Sequence, residues 1–86
     1  MKVSKKDVAE YVEIANSFWG MDASDLDELI KTARKKHETA DRVFGENEEL
    51  PKVLDVKIMW QDGVTADEAC QLLRDKGVEV VEDGDV

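Results

Sequence analysis

The sequence predicts an α+β fold of element order α-α-β-α-β, in which an N-terminal antiparallel helical hairpin packs on a small β-α-β unit. Apolar residues recur with a helical period of about 3.6 over residues 4–45. The period changes to two at Val53, and a capped helical segment then separates this stretch from a short valine-rich one. At 86 residues, we expect one domain spanning residues 1–86.

The first predicted helix runs from Ser4 to Gly20. Ser4 is a suitable N-cap, and Asp7 follows it three positions later in the arrangement of a capping box. Counted at about 100° per residue from Val8, the apolar residues fall on one side of the helix and the polar ones on the other. Gly20 stands where a glycine in the left-handed conformation would end the helix.

The second predicted helix runs from Asp22 to Gly45, with Asp22 or Ser24 as its cap. Acidic residues crowd its first turn and basic residues follow, which suits the helix dipole. Since only two or three residues link it to the first helix, we expect the two to pack antiparallel over residues 4–45. A narrow stripe faces the core: Leu26, Leu29, Ile30, Ala33, His37, Ala40 and Phe44.

Residues 46–51 read as an acidic loop, because the residue before Pro51 avoids helical backbone angles. From Val53 to Gln61 every second residue is apolar, which predicts a strand with one buried face. That face carries Leu54, Val56, Ile58 and Trp60.

Asp62 and Gly63 form a predicted turn. A short helix then starts at the capping box of Thr65 and Glu68 and closes at Gly77.

Valines at positions 78–81 predict a second strand. The helical crossover is long enough for the two strands to be parallel, which completes a β-α-β unit over residues 53–82. Residues 83–86 read as a frayed acidic tail. The expected core is Val8, Val12, Ala15, Trp19, Leu26, Leu29, Ile30, Ala33, Phe44, Leu54, Val56, Ile58, Ala69, Leu73 and Val80.

No group of residues in the sequence predicts catalysis, a metal or a cofactor. Cys70 and His37 are the only residues of their types, so neither a disulfide nor a zinc site can be assembled from them. No phosphate-binding glycine pattern is present. His37 could act as a base or pH switch, but its place in the stripe favours a ring buried along one side. Cys70 faces inward and reads as a small buried hydrophobe.

The two tryptophans, Trp19 and Trp60, each end a predicted element on its apolar face. This favours core anchoring. The alternative is that one of them anchors a protein interface, where tryptophan is enriched.

Charge is distributed unevenly along the chain. Residues 1–45 are nearly balanced, whereas residues 46–86 carry four bases and twelve acids, so most of the net charge of −9 lies there. Such a surface either maintains solubility or attracts a basic partner. The residues expected to contact that partner are Glu46, Glu48, Glu49, Asp55, Asp62, Asp67, Glu68, Asp75, Glu79 and Glu82.

The sequence therefore predicts a cytoplasmic, non-catalytic regulator or inhibitor of the accessory or phage type. Its partner would be a basic protein, and a nucleic-acid-binding protein is one such class, with the carboxylates imitating phosphates. Direct nucleic-acid binding is disfavoured by the acidity, and no apolar run approaches the ~18 residues that a membrane span needs. The alternative is a homo-oligomeric component, such as a homodimer, that pairs exposed strand edges.

Overall fold

The computed structural model describes residues 1–61 and 63–82 of the chain. Most of these residues are helical, and two short strands form a parallel sheet. The predicted α+β class is confirmed in this coarse sense. Asp62 and the predicted tail over residues 83–86 lie outside the described residues. In chain order the elements are β1 (Lys2–Ser4), α1 (Lys5–Trp19), α2 (Leu26–Phe44), α3 (Glu49–Trp60), α4 (Ala66–Asp75) and β2 (Glu79–Val81).

Helix α1 is capped by Ser4, whose hydroxyl accepts a hydrogen bond from the Asp7 N–H at 3.1 Å, as the sequence predicts. The Asp7 side chain does not complete a capping box. It pairs instead with Arg42 at 3.1 Å, and Glu10 pairs with the same guanidinium at 2.7 Å. The end of α2 therefore lies beside the start of α1. Gly20 ends α1 with φ −92°, so the predicted left-handed conformation is wrong.

Helix α2 begins later than expected. Its cap is Asp25, whose carboxylate accepts from the Glu28 N–H at 3.1 Å, rather than Asp22 or Ser24. Asp22 is engaged in a local turn, where its side chain accepts from the Ser24 N–H at 3.1 Å. Such turns compete with capping for the same short acidic side chains.

Helix α3 occupies the stretch predicted as a strand over residues 53–61, and that prediction is wrong. Pro51 lies in the first turn of the helix, where a missing N–H breaks no helical hydrogen bond. The Asn47 side chain accepts from the N–H groups of Glu49 and Leu50 at 3.0 and 3.2 Å. These bonds start the helix before the proline, so the proline does not mark a loop.

The strand-like alternation of apolar residues in α3 arises because two faces of this helix are apolar. Leu50, Leu54 and Ile58 form the inner face and are buried. Val56 and Trp60 lie on the outer face and are 52% and 86% exposed, so their predicted burial is wrong. A helix that is apolar on both faces has no clear 3.6-residue period, and alternate residues then resemble a strand.

Strand β2 forms at Glu79–Val81 as predicted, but its partner is different. It pairs in parallel with β1, in register from Lys2–Glu79 to Ser4–Val81. The predicted β-α-β unit over residues 53–82 is therefore absent from the described residues. Three residues at the start of the chain are too few to show a period, which is why the sequence did not reveal β1.

Helix α4 begins at the predicted capping box of Thr65 and Glu68. At its other end Gly77 has φ 86°, a left-handed conformation that glycine adopts without a steric penalty. The next residue, Val78, donates its N–H to the Leu73 carbonyl at 3.0 Å. This closes a Schellman-type ending that turns the chain directly into β2.

One apolar cluster draws on β1, on all four helices and on the segments that flank α4. Of the predicted core, Trp19, Leu26, Ile30 and Val56 are exposed instead, and Leu29, Ala33 and Val80 are only partly buried. The confirmed members are Val8, Val12, Ala15, Phe44, Leu54, Ile58, Ala69 and Leu73. Further members are Val3, Tyr11, Ala40, Val43, Leu50, Val64, Cys70 and Val78.

Two truncations distinguish the helix from the predicted strand. Leu54→Ala removes a fully buried side chain and is expected to lower the free energy of unfolding by about 2–5 kcal/mol. Val56→Ala removes an exposed one and should change it by no more than about 0.5 kcal/mol. Urea denaturation followed by circular dichroism measures both. Similar losses in the two variants would contradict the helix, because a strand buries both residues on one face.

Candidate functional site

A polar cluster joins α1, α2 and α3. The Tyr11 hydroxyl donates to Asp55 Oδ1 at 2.7 Å, and Lys36 Nζ binds Asp55 Oδ2 at 2.6 Å. The side chains of Lys36 and Asp55 are each only 16% exposed. Both oxygens of Asp55, a predicted partner contact, are thus engaged inside the molecule. Lys36 Nζ also lies 5.5 Å from the centre of the Phe18 ring, which extends the cluster along α1.

The chemistry of the buried groups is that of structural side chains. Burial, helped by the hydrogen bond to Asp55, raises the pKa of the Tyr11 phenol. Burial likewise raises the pKa of the Cys70 thiol, which lies in the core as predicted. Both shifts suppress the anionic form, whereas an activated nucleophile needs that form stabilised.

His37 is exposed, so the prediction that its ring is buried in the α2 stripe is wrong. Its Nε2 lies 3.4 Å from the Asp41 carboxylate one turn later. Both residues line an open depression of about 360 Å³ between α2 and α3, which also touches Glu48 and Lys52. Among the described residues, no three His, Cys, Asp or Glu side chains are grouped so that they could hold a metal ion.

Several predicted acids are paired with bases near the sheet. Asp67 binds Lys5 Nζ at 2.7 Å, and this contact lowers the pKa of the carboxyl and raises that of the lysine. Glu82 lies 3.8 Å from both Lys5 and Arg74. These carboxylates are exposed but locally balanced, so they present less free charge than the sequence count implies.

Other predicted acids have local roles. Glu68 accepts a hydrogen bond from the Gln61 side chain, which is the main reason that its pKa is lowered, and it also closes the cap of α4. Asp75 accepts from a glutamine one turn earlier at 3.1 Å. Glu79 is exposed on β2. Asp62 lies outside the described residues.

The remaining predicted acids form what we call the acidic corner: Glu46, Glu48 and Glu49, where α2 gives way to α3. All three are exposed. None of them forms an ion pair with any residue that the structure describes. Glu49 in the first turn of α3 suits the helix dipole, but Glu46 and Glu48 precede the helix. The corner is therefore a region of net negative charge, in which Lys52 is a basic neighbour of Glu48 and Glu49.

The acidic corner adjoins an apolar surface, the outer face of α3, which consists of Val53, Val56, Met59 and Trp60. Val56 follows Val53 by three residues, Met59 and Trp60 follow Val56 by three and four residues, and the row starts one turn after Glu49. Glu49, Lys52, Val53 and Val56 line one shallow depression. Val56, Met59 and Trp60 are each more than half exposed. Charge and apolar area thus meet along one helix.

Sequence reasoning identified the acidic corner but missed the outer face of α3, because it placed Val56 and Trp60 in a strand core. The sequence nevertheless contains a pattern that indicates this face. If the stretch starting at Asn47 is drawn as a helix, two opposite faces are apolar, and a small domain can bury only one of them.

Comparison with protein-family models, with curated proteins and with solved structures finds no match to this chain. None of the helices among residues 1–61 and 63–82 combines the length and the apolar character that crossing a bilayer requires. The function must therefore be argued from the surface of the chain itself.

Tyr11 provides a direct test of the polar cluster, because it is the only tyrosine and tyrosinate absorbance reports it alone. Its raised pKa keeps the folded phenol protonated, whereas the unfolded phenol ionises near its ordinary value of 10.0. The contribution of the Tyr11 phenol to the free energy of unfolding is full below pH 10.0 and is lost as the pH rises further. We expect tyrosinate to appear only together with alkaline unfolding.

The measurement is an absorbance titration compared with circular dichroism over the same pH range. Tyr11→Phe is the control, and its stability should depend less on pH in the alkaline range. Tyrosinate formation that precedes any loss of helical signal would show that Tyr11 is not held as described.

Proposed function

We propose that this protein is a non-catalytic interaction module, a regulator or inhibitor, that docks the acidic corner and the outer face of α3 on a basic partner surface. The observation that carries the proposal is the junction of the two features. Three carboxylates without an ionic partner among the described residues stand at the head of an apolar row that ends in a tryptophan 86% exposed.

The two parts of this surface contribute differently to binding. Burial of apolar area on association supplies the hydrophobic part of the binding free energy, and tryptophan is among the residues that dominate interface energies. The carboxylates speed the encounter with a basic surface and orient it. Trp60 therefore serves as the anchor and the acidic corner as the guide.

The proposal is narrower than the acidity of residues 46–86 suggests. Asp55 is turned inward, and Asp67 and Glu82 are balanced by bases. A matching partner presents an apolar pocket with lysine or arginine at its rim. Nucleic-acid-binding proteins are a natural class, since their binding surfaces are basic, and carboxylates in the acidic corner would stand in for phosphates there.

The alternative of a homo-oligomer that pairs strand edges is less well supported. Strands β1 and β2 have three residues each, so an edge offers few hydrogen bonds to another chain. The simplest competing explanation of the charge is solubility, which predicts that no partner depends on the acidic corner.

The test is affinity capture of proteins from a cell extract on the immobilised full chain, followed by measurement of binding to the protein identified. E46Q/E48Q/E49Q is expected to slow association and to make it less sensitive to salt, because exposed charges act over a screened range. Trp60→Ala is expected to weaken binding by at least tenfold, chiefly through faster dissociation.

A matched control is E13Q/E28Q/E38Q, which removes three exposed carboxylates from α1 and α2 and should bind like the native chain. Equal capture by the native chain, E46Q/E48Q/E49Q and Trp60→Ala would refute the proposal. Retention of the same partner at ~50 and ~500 mM salt would remove its electrostatic part.

A further inference from the structure

The first half of α2 carries a second apolar row that the fold leaves uncovered. All buried residues of α2 lie between Thr39 and Phe44. Before them, Leu26 and Ile30 are 63% and 56% exposed. Together with Ala33 and His37 they follow each other at spacings of four, three and four, as the seam residues of a helix pair do. Leu26, Ile30 and Ala33 are not part of the surface proposed for the basic partner, whereas His37 at the end of the row adjoins the acidic corner.

Charges of opposite sign flank this row on one side. Asp27 and Arg34 are two turns apart, so they lie on the same flank. Both are exposed, and neither forms an ion pair with a described residue. The acid lies near the start of the row and the base further along. The flank of one copy is therefore complementary in charge to the same flank of a second copy that runs in the opposite direction.

We propose that this face of α2 binds a second copy of the chain, with the two α2 helices antiparallel about a two-fold axis near Ile30. In that arrangement, residues whose numbers add up to about 60 lie opposite each other. Asp27 of each copy then faces Arg34 of the other, and the two Ile30 side chains meet at the axis. The pairing closes on itself and forms a dimer.

The charge pattern favours a second copy over a different occupant. A uniformly basic or uniformly acidic helix would attract one of the two flanking charges and repel the other, whereas a reversed copy satisfies both. The row covers only about three turns of helix, so the area that it can bury is well below the ~800 Å² per partner of a standard interface. Two chains of net charge −9 also repel each other. The dimer is therefore weak and depends on concentration.

Charge reversal supplies the test, with sedimentation equilibrium of the full chain as the measurement. In a dimer of D27R, each of the two Asp27–Arg34 pairs becomes a pair of arginines. In a dimer of R34D, each becomes a pair of aspartates. Each variant should shift the monomer–dimer equilibrium at least tenfold toward monomer. An equimolar mixture of the two regains both attractive pairs and should form a heterodimer, and the double variant D27R/R34D should dimerise with itself.

Matched controls lie on the other side of α2. Glu28 and Lys35 line the depression that α2 shares with α1, away from Leu26 and Ile30. E28R and K35E introduce the same changes in net charge as D27R and R34D, and both should dimerise like the native chain. Circular dichroism checks that each variant keeps its helix, since D27R places a base in the first turn of α2.

Three results would each overturn the proposal: a native chain that stays monomeric up to ~1 mM, a mixture that associates no better than its components, or controls that disrupt the dimer as strongly as D27R and R34D. A dimer insensitive to all these changes, but lost in Trp60→Ala, would assign self-association to the outer face of α3 instead. The dimer and the basic partner use different helices, so either proposal can fail without the other.

Discussion

The carboxylate of Asp55 joins three helices, because it is bound by Lys36 from α2 and by the Tyr11 hydroxyl from α1. A mostly buried charge must keep its partners, because an unpaired one costs about 3–5 kcal/mol. On the helix, Asp55 lies about 60° from Ile58 and about 100° from both Leu54 and Val56, so it borders the buried face on one side. The cluster thus ties α3 to α1 and α2 at the border of its buried face, while the apolar contacts of Leu50, Leu54 and Ile58 keep that face in the core.

The exposed face then requires an explanation at the level of function. A chain of this size buries a limited share of its surface, and single exposed apolar residues are common. A continuous row along one helix, adjoining unpaired carboxylates, is a different feature, since such patches mark interaction sites. Two helices of this molecule carry such rows. On α3 the neighbouring charge is mostly negative, with three acids beside Lys52, which suits a foreign basic surface. On α2 it alternates, which suits a second copy.

Local signals in the sequence identified much of the fold correctly. The caps at Ser4 and Thr65, the helix that follows each of them, and the approximate ends of α1, α2 and α4 all depend on contacts within a few residues. The acidic corner was also visible, because its charge needs no partner to be recognised. Asp55 and Asp67 were misjudged as free, since the lysines that bind them lie 19 residues or more away along the chain.

By itself, the sequence determined where helices can start and stop, how many apolar side chains seek burial, and where acids outnumber bases. Only the tertiary structure decided that residues 49–60 form a helix, that β1 supplies the partner of β2, and that Trp60 and His37 face water. The physical reason is that hydrogen-bonded caps act over one turn, whereas burial and ion pairing depend on which distant segments pack against each other. Two apolar faces of α3 compete for one core, and the packing of α3 against the other elements selects between them.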